Sequence, residues 1–167
     1  MKKRMLIVYY SISNGNTERI AQWLQKATDA DIVRIETVKP YTGSYNEIVE
    51  QGQQEVNRGY CPEIKPLGLN PKDYEVIAVG TPTWWYAMAP AVLSFLKSCD
   101  WNGKTVIPFQ THGGWPGHVI KDMKKVCKGA VFSHEINVQF DSSGGSELVT
   151  EDTKIEAWAE QIKKEEW

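Results

Sequence analysis

The fold of this chain is decided by a stretch near its start, Ile7-Val8-Tyr9-Tyr10-Ser11-Ile12-Ser13-Asn14-Gly15-Asn16-Thr17. Its first part ends a continuous apolar run, residues 5–10, which predicts a strand that is buried on both faces. A short polar loop follows at residues 11–17, and apolar residues then recur at the helical period from Ile20 to Leu24. A buried strand that turns through a polar loop into a helix is the basic unit of a parallel α/β sheet.

The rest of the chain repeats this order of strand and helix. Further strands are predicted over 31–36, 74–80, 105–109 and 130–140, and each is followed by a segment with helical apolar spacing. Five such units are too few for an eight-stranded barrel. They predict an α/β fold, a three-layer α/β/α sandwich around a five-stranded parallel sheet, formed by the single domain 1–167.

Two local features bear on this architecture. Pro108 falls inside the fourth predicted strand and counts against a central position for it, because proline lacks the N–H that a ladder needs. The sequence Ser44-Tyr45-Asn46-Glu47 has the form of a capping box and predicts the start of the second helix, which contains Ile48, Val49 and Val56.

Composition excludes several classes of function. The chain has 167 residues, a mass of 19.0 kDa and a formal net charge of -2, so it lacks the basic excess of a nucleic-acid-binding protein. It has no apolar run of ~18 residues for a membrane span, and its apolar start is too short for a signal peptide, so we expect a cytoplasmic protein. Its cysteines and histidines show neither a disulfide framework nor a metal-binding spacing. We therefore predict no metal site.

Three loops are expected to form the functional site, because ligands of open parallel sheets bind outside the carboxyl ends of the strands. They are residues 11–17, 81–88 and 111–117. Loop 11–17 offers hydroxyl and amide groups and leads into a helix N-terminus, which attracts anions. It contains no Lys or Arg, and neither of the glycine-rich signatures of ATP-binding and dinucleotide-binding loops. From the residues alone, a phosphate site held by neutral donors and an ordinary polar turn both stay open.

The other two loops are aromatic and glycine-rich. Residues 78–95 include no charged side chain, and they hold the adjacent Trp84 and Trp85 followed by Tyr86. Neighbouring side chains of an extended segment point to opposite sides, so one tryptophan is expected at a surface or a ligand. Such a segment would line the site of a flat apolar ligand, pack in a core, or form a dimer contact. In loop 111–117, consecutive glycines permit a ligand to approach backbone N–H groups closely.

Taken together, these loops resemble those of the flavodoxins over nearly the whole chain. Loop 11–17 is similar to the hydroxyl-rich loop that wraps the phosphate of FMN in that family, with Asn14 as an extra residue. The string Gly80-Thr81-Pro82-Thr83-Trp84-Trp85 resembles the loop that lies against the flavin ring. Tyr86-Ala87 stands where the family often has a glycine, which makes a turn into positive φ harder. The segment Thr111-His112-Gly113-Gly114 resembles the loop that donates N–H groups to the pyrimidine edge of the flavin.

The resemblance implies the strand order 2-1-3-4-5, FMN as the cofactor and no catalytic side chain. His112 has two further interpretations, a proton donor to a bound quinone or flavin and an ordinary surface histidine. The residues that the resemblance assigns to FMN are Ser11, Ser13, Asn14, Gly15, Asn16, Thr17, Pro82, Thr83, Trp84, Trp85, Tyr86, Thr111, His112, Gly113 and Gly114.

The function implied is that of an FMN redox protein, in which the flavin supplies the chemistry. It is either a flavodoxin-type electron carrier that meets a redox partner protein, or a small NAD(P)H-linked oxidoreductase that reduces a quinone or flavin. A net charge of -2 is low for a carrier that is steered by an acidic surface, and slightly favours the oxidoreductase. The alternative from another class is a non-redox interaction module of flavodoxin fold without a cofactor.

Overall fold

The computed structural model describes residues 4–167, so the first three residues of the predicted domain lie outside it. Its strands are β1 (Met5–Tyr9), β2 (Asp31–Arg34), β3 (Val76–Trp84), β4 (Ala87–Met88), β5 (Thr105–His112), β6 (Val131–Phe132) and β7 (Ile136–Gln139). Its α-helices are α1 (Asn16–Thr28), α2 (Tyr45–Arg58), α3 (Pro90–Lys97), α4 (Val119–Val126) and α5 (Asp152–Lys163), and a 3₁₀ turn spans Pro71–Asp73.

The strands form a parallel sheet in the order β2-β1-β3-β5-β6, and β7 continues beside β5 where β6 ends. This confirms the predicted α/β class and the flavodoxin-like order, because β5 is the fourth predicted strand and β6 and β7 share the fifth position. Within residues 4–167 the sheet has seven strands rather than five. One extra strand arises because the fifth segment breaks at residues 133–135, where His134 has a φ of 52°. The other is β4, which pairs antiparallel with the end of β3.

Pro108 lies inside β5, which has strands on both sides, so the argument against a central position was wrong. On one side Pro108 pairs with Val79 of β3. On the other side it faces the break between β6 and β7, because β6 ends opposite Val106 and β7 begins opposite Phe109. The break therefore falls where proline has no N–H to donate to a ladder.

Each face of the sheet carries its own hydrophobic core. Alternate residues of β1 divide between them, with Leu6 and Val8 in one core and Ile7 and Tyr9 in the other. The first core is covered by α3 and α4, and the second by α1 and α5. This arrangement gives the predicted three layers and explains why β1 reads as a continuous apolar run. Within residues 4–167, none of the helices has the length and apolar character needed to cross a membrane.

The second helix, α2, begins where the capping box predicts it. Ser44 is its N-cap, and the Ser44 Oγ accepts a hydrogen bond from the backbone N–H of Glu47. The buried residues of α2 are Gly52 and Glu55, whereas Ile48, Val49 and Val56 are half-buried. The Glu55 carboxylate accepts hydrogen bonds from the Tyr41 hydroxyl (2.7 Å) and the Gln51 amide (2.8 Å), which satisfies its buried charge.

Candidate functional site

The three predicted loops meet around one cavity of about 340 Å³ at the carboxyl ends of β1, β3 and β5. The chain leaves β1 for α1 on one face of the sheet and leaves β3 for α3 on the other face. Connections that diverge in this way open a crevice between neighbouring strands. The predicted site residues that line the cavity are Ser13, Asn14, Asn16, Thr17, Pro82, Thr83, Trp84, Trp85, Thr111, His112 and Gly113.

The first wall of the cavity is the start of α1. The N-cap residue Gly15 has a φ of 72° and makes no side-chain cap, and Ser13 before it has a φ of 60°. The buried Ser11 Oγ accepts from the backbone N–H of Glu18, which satisfies one amide of the first turn. With no cap at Gly15, the helix N-terminus presents partial positive charge to an anion beside Asn16.

Arg34, at the end of β2, holds this loop from behind. Its guanidinium donates to the carbonyl oxygen of Ser11 and forms an ion pair with the Glu18 carboxylate at 2.6 Å. Because Glu18 neutralises the guanidinium, Arg34 fixes the position of the loop rather than adding a free charge to the cavity.

Threonine hydroxyl groups connect the three loops. The Oγ1 atoms of Thr17 and Thr111 lie 2.8 Å apart, and both residues are buried. The Thr83 Oγ1 lies 2.8 Å from the Gln110 Oε1 and 3.0 Å from the carbonyl oxygen of Thr111. The first contact joins loop 11–17 to the end of β5, and the other two join the ends of β3 and β5, so the three loops hold a common geometry.

The two adjacent tryptophans take opposite roles, as the sequence predicted. Trp84 is half-buried and packs edge-on against Tyr41 and Tyr10, with ring centroids 5.1 Å and 6.0 Å away. A Cβ added at Gly52 would lie 3.1 Å from the Trp84 ring, so α2 packs closely on it. Trp85 is 42% exposed. Trp84 is therefore mainly a packing residue, and Trp85 is the one that reaches the surface.

Trp85 and Tyr86 form the two-residue turn between β3 and β4, with φ values of 50° and 68°. Such turns normally use Gly or Asn, because side chains are strained at positive φ by about 1–3 kcal/mol per residue. Three contacts hold the turn. Trp85 Nε1 donates to the Val49 carbonyl (3.0 Å), and the His118 N–H donates to the Tyr86 carbonyl (2.8 Å). The third is the close approach of the Gly117 backbone to Tyr86, where a Cβ added to Gly117 would lie only 2.2 Å from the Tyr86 oxygen. The sequence predicted that positive φ is hard to reach here without glycine, and the structure holds both residues there.

The sequence predicts that the third loop presents backbone N–H groups to a ligand, and the structure differs from this in part. The backbone N–H of Gly114 donates to the Nδ1 of His112 at 2.9 Å, so it is engaged within the loop instead of facing a ligand. Burial lowers the pKa of His112 below its ordinary value, which favours the neutral ring. Trp115, in the same loop, is 60% exposed.

Comparisons with known proteins place this geometry in a family. The family profile for flavodoxins matches residues 4–141. The chain belongs to the flavodoxin family. A candidate flavoprotein from Bacteroides eggerthii is 27% identical to the chain, with a TM-score of 0.78 over 98% of this chain and 99% of that one. A flavoprotein from Lactobacillus acidophilus in complex with FMN is 19% identical, with a TM-score of 0.71 over 94% of this chain and 99% of that one. A search of curated protein sequences found no match.

A fourth loop in this flavodoxin-family chain, residues 141–147, completes the cavity, and the sequence analysis missed it. Asn14 Nδ2 donates to the carbonyl oxygen of Gly144 (2.6 Å), and Asn16 Nδ2 donates to that of Gly145 (3.0 Å). The two asparagines therefore join loop 11–17 to loop 141–147. The missed signal was available, because the turn-forming run from Asp141 to Gly145 follows the last predicted strand at the same edge of the sheet.

Asp141 organises the fourth loop. Its carboxylate accepts hydrogen bonds from the hydroxyl of Ser143 (2.6 Å) and from the backbone N–H groups of Ser143, Gly145 and Glu147. These bonds lower the pKa of Asp141 to about 2, and the bond from the Ser143 hydroxyl has the largest effect. The ionised carboxylate thus holds the loop in the shape that receives the two asparagines.

One face of α2 is the second feature that sequence reasoning missed. Tyr45, Ile48, Val49 and Gly52 line the cavity, and they recur at the helical period. A Cβ added at Gly144 would lie 3.0 Å from the Tyr45 hydroxyl, so this face comes close to the fourth loop. The half-buried state of Ile48 and Val49 has its reason here, since they face the cavity rather than the sheet.

Four predicted site residues lie outside the cavity lining. Ser11 and Gly15 shape the start of α1, as described above. Tyr86 and Gly114 lie at the neighbouring turn and in the third loop. The assignment of these four residues to FMN stays a prediction.

Proposed function

We propose that this chain is an FMN-binding redox protein, with the phosphate at the N-terminus of α1 and the flavin ring between the second and third loops. The observation that carries the proposal is the start of α1, where the N-cap residue Gly15 makes no side-chain cap and the first turn opens into a cavity of about 340 Å³ lined by hydroxyl and amide side chains. Cavities of this size are typical of small-molecule sites. The flavodoxin family and the FMN complex of the Lactobacillus acidophilus protein support the same cofactor.

The residues present suit the two ends of FMN. Ser13, Asn14, Asn16 and Thr17 offer neutral donors around a helix N-terminus, which is the environment that a phosphate needs in the absence of cations. The opposite end has apolar and aromatic lining from Ile48, Val49, Trp85 and neighbouring residues, which suits a flat ring. When bound, FMN supplies the redox chemistry, and these residues orient it and limit its exposure to water.

FMN binding is tested by titrating the purified protein with FMN and with riboflavin, and following the quenching of flavin fluorescence. We expect FMN to bind more tightly, because riboflavin lacks the phosphate. Ser13→Gly removes a hydroxyl without strain at a positive φ, and should weaken FMN by about tenfold or more while leaving riboflavin unchanged. Ser98→Ala, which removes a hydroxyl at the carboxyl end of α3, is the matched control.

Two outcomes would contradict this assignment. Equal affinities for FMN and riboflavin would place the phosphate elsewhere. No binding of either compound would leave the interaction module without a cofactor as the better description.

We further propose that the protein passes electrons from NAD(P)H to a small acceptor rather than to a redox protein. The support is the low net charge of -2 and the uncharged aromatic surface beside the cavity, where Trp85, Tyr86 and Trp115 are exposed. An electron carrier that docks on a basic partner would be expected to surround its cofactor with acidic residues. In the reaction, NAD(P)H loses a hydride and a quinone gains two electrons and two protons, the second proton from water.

The test is the steady-state oxidation of NADH and NADPH by the FMN-loaded protein with a quinone as acceptor. Saturable turnover with either nucleotide is expected. A loaded protein that is reduced only by a reductase protein, and not by either nucleotide, would instead be an electron carrier. The location of the protein in the cytoplasm stays a prediction from the sequence.

A further inference from the structure

A second, smaller cleft of about 180 Å³ adjoins the cavity. It is lined by Thr83, Trp85, Tyr86, His112, Gly113 and Trp115. Four of these residues, Thr83, Trp85, His112 and Gly113, also line the larger cavity. A ligand in the cleft would therefore lie directly beside whatever occupies the cavity.

Three large aromatic side chains of the cleft are exposed. The exposed fractions are 42% for Trp85, 52% for Tyr86 and 60% for Trp115. Isolated exposed aromatics need no explanation, but three that line one cleft form an apolar surface of the kind that binds ligands. The turn is anchored at both residues, because the Trp85 indole donates to the Val49 carbonyl and the His118 N–H donates to the Tyr86 carbonyl. Binding against an anchored turn costs less conformational entropy than binding against a mobile loop.

The lining of the cleft is uncharged and includes His112, a donor whose tautomer is fixed. None of its lining residues is Asp, Glu, Lys or Arg, and burial keeps the ring of His112 in its neutral form. The Nδ1 of that ring accepts the N–H of Gly114, so the proton of the neutral ring is on Nε2. His112 is therefore a hydrogen-bond donor at Nε2 under neutral conditions, and it holds this tautomer through the loop itself.

We propose that this cleft binds an uncharged planar aromatic carbonyl compound of the quinone class. The ring stacks on Trp115 and the Trp85-Tyr86 turn, and the Nε2–H of His112 donates to one carbonyl oxygen. The absence of charged lining residues disfavours a ligand that carries phosphates, such as a nicotinamide dinucleotide. This inference rests on the proposed function, for which it gives the place where the quinone binds and the residues that contact it.

The experiment titrates 2,3-dimethyl-1,4-naphthoquinone, which has no free ring position for addition of a cysteine thiol, into the ¹⁵N-labelled protein. The readout is the set of tryptophan indole N–H signals in ¹H–¹⁵N spectra, assigned with single Trp→Phe variants. We expect saturable shifts for Trp85 and Trp115, and none for Trp101 and Trp158, which are buried in the two cores. Shifts spread over all the indoles, or none at Trp115, would overturn the proposal.

Paired variants test the roles of the two kinds of side chain. Trp115→Ala should weaken the quinone about tenfold, whereas Tyr60→Ala, which removes an exposed aromatic outside the cleft, should leave the affinity unchanged. His112→Asn keeps an oxygen near the Nδ1 position for Gly114 but removes the Nε2–H, and should weaken the quinone about two- to tenfold. His112→Gln, which retains an N–H donor near Nε2, should recover part of that loss. Equal affinities of the Asn and Gln variants would rule out the hydrogen bond.

The titration is performed on the protein both without FMN and with FMN bound. If FMN binds but the quinone does not shift Trp115, the inference about the cleft is wrong and the FMN assignment stands. If FMN fails to bind while the quinone still shifts Trp115, the proposed function is wrong and the cleft remains a ligand site. A shift of Trp115 by NADH alone, with no effect of the quinone, would assign the cleft to the nucleotide instead.

Discussion

Gly117 offers the sharpest test of how the aromatic turn is held. It has a φ of 59°, and an added Cβ would lie 2.2 Å from the Tyr86 oxygen and 2.5 Å from the Tyr86 Cα. Both atoms belong to the backbone, so the contact is not relieved by the rotation of a side chain. Gly117→Ala must therefore move the turn that carries Trp85 and Tyr86, or lose the hydrogen bond from the His118 N–H to the Tyr86 oxygen.

The magnitude follows from two separate costs. Alanine in the left-handed region costs about 1–2 kcal/mol, and forcing a methyl group into packed structure costs about 1–3 kcal/mol more. Gly59→Ala isolates the first cost, because Gly59 has a φ of 63° and an added Cβ would meet nothing within 4 Å. We therefore expect Gly117→Ala to lower the free energy of unfolding by about 2–5 kcal/mol, and Gly59→Ala by about 1–2 kcal/mol.

The assay is urea unfolding of the two variants and the parent protein without FMN, followed by circular dichroism, with m-values compared to confirm a common mechanism. FMN affinity is then measured on the variants that fold. Because Trp85 lines the cavity, Gly117→Ala should also weaken FMN, whereas Gly59→Ala should not. Equal destabilisation by the two substitutions would show that the close approach of Gly117 to Tyr86 does not hold the turn.

Three further predictions concern the polar contacts of the cavity. Thr17→Val should lower the free energy of unfolding by about 1–3 kcal/mol because it leaves the buried Thr111 hydroxyl unpaired. The double variant Thr17→Val with Thr111→Val should lose less free energy of unfolding than the sum of the losses of the two single variants. A double-mutant cycle measured by urea unfolding tests this, and a coupling energy of zero would contradict it. Asp141→Asn should reduce stability at about pH 5–7, where the carboxylate of the parent is ionised, and the difference should vanish as the pH falls from 3.8 towards the folded-state pKa of about 2. An acid titration of both proteins measures this difference in stability. A difference that grows below pH 3.8 would have the wrong sign. Asn14→Ala combined with Asn16→Ala should speed amide exchange in loop 141–147 and leave that in β1 unchanged, because it removes the two hydrogen bonds that join the loops. Unchanged exchange in that loop would show that the asparagines do not hold it.

Much of the fold was predictable because its determinants are local or periodic. The run from Met5 to Tyr10 indicates a strand buried on both faces, and alternate residues of β1 indeed enter both cores. The capping box at Ser44 places the start of α2. The exposure of one of the two adjacent tryptophans was also expected, but Trp85 reaches the surface through the turn at a φ of 50° and not through alternation along an extended strand.

The rest depended on contacts between residues far apart in the chain. Asn14 and Gly144 are separated by 130 positions, and no pattern near either residue predicts their hydrogen bond. The break of the fifth strand has its consequence at Pro108, which lies on another strand. Local preference also misjudged the turn at Tyr86, because backbone strain of about 1–3 kcal/mol per residue is within what a few tertiary contacts can offset.

The sequence by itself therefore determined the order of strands and helices, the α/β class and three of the loops around the cavity. These properties depend on hydrophobic periodicity and on the rule that parallel strands end at one edge. Only the tertiary structure decided the fourth loop, the lining face of α2 and the neutral aromatic cleft with its directed His112. Each of these requires side chains from separate segments to meet, and that meeting depends on how the whole sheet and its helices pack.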